Sequence, residues 1–144
     1  MVIMSTVLLM EGIMVIERKN YPMLPQPVGA YVHAVSYQGL LYLSGLTAFG
    51  TAAQTGDLVE QAEAIFGQMR DILRAEGIGF ERLLKVTLFV TDLADLGRLR
   101  EVVFRYYQAD LPASSLVQVK GLFLPDLKIE VEAIIALGDR AESG

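Results

Sequence analysis

The sequence predicts an α+β domain in which two helices pack on one face of a β-sheet, in the order ββαβαββ. Three observations carry this reading: two stretches with apolar residues at helical spacing, a β-branched run between them, and alternating strands towards both ends. With 144 residues, 53% of them hydrophobic, the chain can bury one core. One domain over residues 15–144 is expected, preceded by an extension over 1–14.

The extension belongs to an apolar opening, residues 1–16, that lacks a basic start and a small-residue cleavage site and is interrupted by Glu11. Neither a secretion signal nor a membrane span is predicted there; a loose segment or an added edge strand is. After Pro25 and Pro27, residues 31–37 alternate large and small groups, and Gln38-Gly39 then leads into Leu40-Leu41-Tyr42-Leu43-Ser44. Two strands joined by a tight turn fit this pattern. Residues 45–56 hold turn formers without an apolar period and read as a loop. Leu58, Ala62, Ile65, Met69 and Ile72 then recur at helical spacing, widened by Phe66 and Leu73, with Asp57 placed to cap the helix and Gly77 to end it.

Residues 85–90 are β-branched and almost continuously apolar, as in an interior strand covered on both sides. A second helix begins with Asp95 as its expected cap. Its Leu96, Leu99, Val102, Val103 and Tyr106 share one face, Arg98, Glu101 and Arg105 lie largely on the other, and Pro112 follows its end. Residues 115–119 and 128–137 close the domain as strands. Two helices cover one face of such a sheet, so the apolar residues left on the other face predict packing against further copies of the chain.

Composition removes several function classes. A net charge of -5 with no run of Lys or Arg argues against a nucleic-acid partner. The absence of cysteine removes disulfides, thiolate nucleophiles and sulfur metal sites, and it suits a reducing cytoplasm. A single histidine, His33, cannot make a metal cluster, so no metal is expected. The Gly-rich loop has neither a Gly-Lys-Ser/Thr step nor a GxGxxG register, which argues against a nucleotide.

Four segments point to a family: Val28-Gly29-Ala30-Tyr31-Val32-His33-Ala34, Leu43-Ser44-Gly45, Lys85-Val86-Thr87-Leu88-Phe89-Val90-Thr91-Asp92-Leu93, and Lys128-Ile129-Glu130-Val131-Glu132-Ala133-Ile134. In this order, over about residues 15–137, they resemble the YjgF/Rid family of reactive-intermediate (enamine/imine) deaminases. The resemblance implies a chorismate-mutase-like fold, a mixed sheet backed by two helices, and a homotrimer with clefts between neighbouring subunits. It also implies hydrolysis of small 2-imino or 2-enamino acids without a cofactor. In the family, an arginine of a Pro-Ala-Arg-Ser motif grips the substrate carboxylate, and a glutamate early in the last strand orients or activates water. Glu130 matches that glutamate as the candidate catalytic residue. Tyr31, Ser44 and Gly45 match residues that line the cleft.

Ser114 stands where the family carries the arginine, and a hydroxyl offers one neutral hydrogen bond in place of two ionic ones. Leu46 replaces a common glutamine and Leu116 a common cysteine, which makes the cleft more apolar. Arg100, on the second helix, is a candidate replacement cation, against the alternative that its stem merely covers apolar surface. Each other candidate also has a plain structural alternative. Glu130 could pair with Lys120 or Lys128, and His33 could be a buried, hydrogen-bonded core residue. Tyr31 and His33, two apart, should share a strand face. Tyr42, Tyr106 and Tyr107 read as packing residues, and Arg105 as solvent-facing. The expectation is a cytoplasmic trimer binding a small carbonyl, imine or enamine metabolite, with the protein itself and that metabolite as its partners. The alternative is a noncatalytic metabolite-binding or sensing module of the same fold; chorismate rearrangement is disfavoured because the expected arginine cluster is absent.

Overall fold

The computed structural model describes residues 14–138, so nearly all of the expected extension lies outside the described residues. Six strands and two helices follow in order: β1 (Glu17–Lys19), β2 (Ala34–Tyr37), β3 (Leu40–Leu46), α1 (Leu58–Ala75), β4 (Leu83–Val90), α2 (Leu96–Tyr107), β5 (Ala113–Gln118) and β6 (Ile129–Ala136). They form one sheet in the order β1-β2-β3-β6-β4-β5. Only the β4–β5 pair is parallel, because α2 carries the chain back to the same end of the sheet. The result is the α+β fold expected, with a mixed sheet.

Turn chemistry sets the β2–β3 hairpin. Gln38 and Gly39 both take positive φ, 52° and 78°, the pairing that a two-residue turn of the I′ type needs. The helix α1 is closed at both ends by its own sequence. Asp57 accepts from the Glu60 amide at 2.9 Å while the Glu60 carboxylate accepts from the Asp57 amide at 3.4 Å. At the far end Gly77 adopts φ 75°, its amide donates to Arg74, and Ile78 donates to Leu73, so the last carbonyls are satisfied.

One side of α1 and one side of α2 cover the same sheet face. Ile65, Phe66, Met69 and Ile72 of α1, with Leu99 and Val102 of α2, pack on Leu41, Val86, Val131 and Ile135, all of them at or near zero exposure. Burial alternates along β4 and β6, so Lys85, Thr87, Phe89, Glu130, Glu132 and Ile134 share the other face, which no helix of the described residues covers. The strand at 85–90 is thus interior by pairing but covered by helices on one side only. Both faces of β5 are exposed.

Several details depart from the sequence reading. The strand expected over 31–37 begins only at Ala34, because the His33 amide donates to the Asn20 side chain at 2.9 Å and leaves the ladder. Tyr31 and His33 therefore do not share a strand face. The edge strand β1 was not anticipated, since Glu17-Arg18-Lys19 has no apolar alternation. Asp95 does not cap α2: its ψ of 25° departs from the extended backbone that aims a side chain at the helix amides. Asp92 instead accepts from the Ala94 amide at 2.7 Å just upstream. Tyr106 and Tyr107 pack against Phe66 as expected, but Tyr42 is 44% exposed on the open face. Arg105 is exposed, yet it also holds Glu63 at 2.6 Å. Among the described residues, no helix is long and apolar enough to cross a membrane.

Candidate active site

A cavity of about 440 Å³ opens where β3 and β6 meet the segment before β2. The sheet supplies Ser44, Gly45 and Glu130, the preceding segment supplies Pro25, Tyr31 and His33, and the loops after β3 and β5 supply Phe49 and Phe123. Between Leu43↔Ala133 and Leu46↔Val131 the strand β3 carries one residue more than β6, a bulge at Ser44-Gly45. Such a bulge re-aims the local backbone. Here it brings Gly45 flat against Glu130: a Cβ on Gly45 would stand 2.7 Å from the Glu130 Cδ and 2.9 Å from its Cγ. Any side chain at position 45 would have to displace the Glu130 carboxylate, and the constraint comes from proximity rather than from dihedral angle.

Glu130 is half-buried, and among the described residues its carboxylate receives neither a hydrogen bond nor an ion pair. Burial pushes its pKa above the ordinary glutamate value, and the negative charge of Glu132 on the same strand face adds to the rise. The salt bridge considered for it does not form. Lys128 instead donates from Nζ to the Gly56 carbonyl at 3.2 Å.

Two of the expected ligand donors are already engaged. The Ser44 amide donates to the His33 carbonyl at 3.0 Å, and its hydroxyl donates to the Val32 carbonyl at 2.6 Å. Ser44 therefore offers the cavity oxygen lone pairs rather than protons. His33 is buried with both ring nitrogens occupied: Nδ1 accepts from the Tyr21 amide at 2.8 Å, which assigns the ring proton to Nε2, facing the Pro25 carbonyl at 2.9 Å. It is a fastener for the cavity wall, in line with the buried-histidine alternative. Tyr31 lines the cavity and its hydroxyl accepts from the Val28 amide at 3.3 Å.

Of the residues singled out in the sequence, Tyr31, Ser44, Gly45 and Glu130 come together. Ser114 and Arg100 do not line this cavity: Ser114 is exposed on the edge strand β5 and Arg100 is exposed on α2. Sequence reasoning missed Phe49 and Phe123, whose rings meet edge to face with centroids 5.4 Å apart. It also missed Gln61. This buried amide donates to the carbonyls of Gln54, Gly56 and Asp126 and accepts from the Lys128 amide at 2.8 Å, tying both aromatic-bearing loops to α1. Among the described residues, no three His, Asp or Glu side chains stand together in a way that could hold a metal ion.

The family model described as Endoribonuclease L-PSP matches residues 23–137, a stretch that contains every residue of the cavity. The chain belongs to the YjgF/Rid family. Within this family it is 35% identical over 118 residues to Reactive Intermediate Deaminase A, chloroplastic, of Arabidopsis thaliana, a match covering 78% of this chain and 62% of the plant protein. The chain thus spans less than two thirds of that relative. It is 33% identical over 125 residues to the 2-iminobutanoate/2-iminopropanoate deaminase of Rattus norvegicus, covering 83% of this chain and 89% of the rat protein. Among solved structures, RidA from an Antarctic Psychrobacter superposes with a TM-score of 0.76 at 27% identity, covering 83% of this chain and 98% of that one.

Proposed function

We propose that the chain is a deaminase-type hydrolase of reactive imines, working without a cofactor in a cavity completed by a neighbouring copy. The observation that carries this is Glu130: a half-buried carboxylate with no partner of its own, beside a side-chain-free Gly45, facing a cavity large enough for a small metabolite. A carboxylate in that setting can take a proton from water as the oxygen adds to the imine carbon. It can then return that proton to the departing nitrogen. The names of the plant and rat relatives agree with the reaction class.

The trimer, its inter-subunit clefts and a cytoplasmic location form part of the same reading. The open sheet face and the exposed β5 support it, since both leave apolar residues uncovered, Leu116 at 42% and Val117 at 43%. In this arrangement a neighbour's β5 edge brings Ser114 to the cavity mouth as a neutral hydrogen-bonding group. Ammonia release from imines generated in situ, 2-aminoacrylate among them, should exceed the spontaneous rate. Glu130→Gln should lower that release by about a hundredfold or more. Because base catalysis needs the ionised carboxylate, the wild-type rate should climb with pH through a midpoint above the ordinary glutamate range, and the variant should lose that limb. An unchanged rate would remove Glu130 from the mechanism.

A noncatalytic binding module is the second reading, favoured by one feature: both Ser44 donors are turned inward, away from any substrate oxygen. Saturable binding of a small carbonyl compound without accelerated ammonia release would select it.

A further inference from the structure

His33 is the chain's single histidine, and it is 5% exposed although it stands on the wall of the cavity. Its backbone and ring tie the approach to β2 to two other stretches. The His33 carbonyl accepts from the Ser44 amide at 3.0 Å, at the bulge of β3, and the His33 amide donates to Asn20 Oδ1 at 2.9 Å. The ring lies between the Tyr21 amide, 2.8 Å from Nδ1, and the Pro25 carbonyl, 2.9 Å from Nε2. The two backbone bonds are indifferent to the charge of the ring. So is the Nε2 bond, because Nε2 carries a proton in either form. The Nδ1 bond is different. In the imidazolium Nδ1 is a donor, and it would face a second donor, the Tyr21 amide, inside the protein.

The surroundings decide whether the ring can take up a proton in place. Tyr21 stacks on it with centroids 6.2 Å apart and donates from its hydroxyl to Glu76 of α1 at 2.9 Å, a carboxylate that Lys19 also holds at 3.0 Å. The strand β3 presents the neutral Ser44, and β6 presents Glu130 in the same cavity lining. Nδ1 has one in-plane site, and the Tyr21 amide fills it, so neither carboxylate can bond there until that amide has gone. Charging therefore requires the ring to part from the amide. We propose that His33 is a proton-sensitive latch: neutral, it fastens the segment 21–25 to the cavity wall, and on taking up a proton it lets that segment go. The released form binds one proton more than the fastened form. Above the pH at which a solvated imidazole charges, about 6.5, the latch is at full strength; below it the latch weakens by about tenfold per unit. Leu24 and Pro25 line the cavity, so acidification reaches its wall directly.

Hydrogen exchange on the intact protein tests this, followed by NMR from about pH 7.5 to about pH 5 and corrected for the intrinsic exchange rate at each pH. The Tyr21 amide should lose protection by about tenfold per unit below about pH 6.5, together with the Leu24 amide, which is bonded to the Tyr21 carbonyl at 3.1 Å. The amides of Ile65 and Met69, buried in α1, should hold theirs. With one histidine in the chain, a single imidazole signal reports the charge of the ring. His33→Gln offers an oxygen to the Tyr21 amide and an N–H to the Pro25 carbonyl at every pH, so it should keep the protection and lose the pH step. Four results each overturn the proposal: wild-type protection that does not change with pH, a charged ring beside a Tyr21 amide that stays protected, an equal loss at Ile65 and Met69, or a pH step that survives in the Gln variant. If that variant does not fold, the wild-type measurements decide alone. Exchange needs no turnover, so the outcome is independent of the hydrolytic reading.

Discussion

Tyr107 shows how a single side chain can be held by its ring and opposed by its hydroxyl. The ring packs edge-on against Phe66 at 5.7 Å, yet the buried oxygen finds no hydrogen-bond partner among the described residues. Desolvation raises its pKa, and an unmade bond of this kind costs about 1 to 3 kcal/mol. Tyr107→Phe keeps the ring contacts and should stabilise the protein by about 1 kcal/mol in urea denaturation; a loss of stability would show that the hydroxyl has a partner after all. The candidates that line the cavity were legible at this scale for a different reason. Tyr31, Ser44, Gly45 and Glu130 sit in short segments whose resemblance to a family is local and ordered, and backbone pairing then brings them together. Phe49 and Phe123 carried no such signal. Their loops have no period, and an aromatic ring in a loop reads the same whether it lines a cavity or faces solvent.

At the scale of elements, strong local rules survived into the fold and weak ones did not. The helix α1 has a stripe, a cap and a glycine stop that all agree, and the structure uses each of them. Asp95 had only its residue type in its favour, and a cap also depends on a backbone angle that the surrounding chain decides. The strand β1 is paired to β2 through Glu17↔Ser36 and Lys19↔Ala34, a tertiary match with no sequence period behind it. Gln61 belongs here too, since a polar residue on the buried side of a helix looks like an error until its four partners are known. Gln61→Leu would leave the Lys128 amide and three carbonyls without that amide, and should cost about 2 to 4 kcal/mol. Thermal unfolding checks this, and a change under about 0.5 kcal/mol would mean water replaces the side chain freely.

For the whole molecule, the decisive asymmetry is that helices cover one sheet face and leave the other bare. Tyr42, Phe89 and Ile134 on the bare face share it with Lys85, Glu130 and Glu132, a mixture suited to an interface that must also stay partly hydrated. If the proposed trimer forms, light scattering at micromolar concentration should give three times the chain mass of 15.8 kDa. A stable monomer would detach Ser114 from the proposed cleft, because within one chain it does not reach the cavity. The proposed cleft was the least readable part, since a sequence describes one chain and such a cleft would depend on two.

The amide of Gln61 reaches loops more than sixty positions apart, and the rings of Phe49 and Phe123 ride on those loops. Both aromatic-bearing loops are thus fastened to α1 through one side chain, so a change that loosens that amide is expected to loosen the two together.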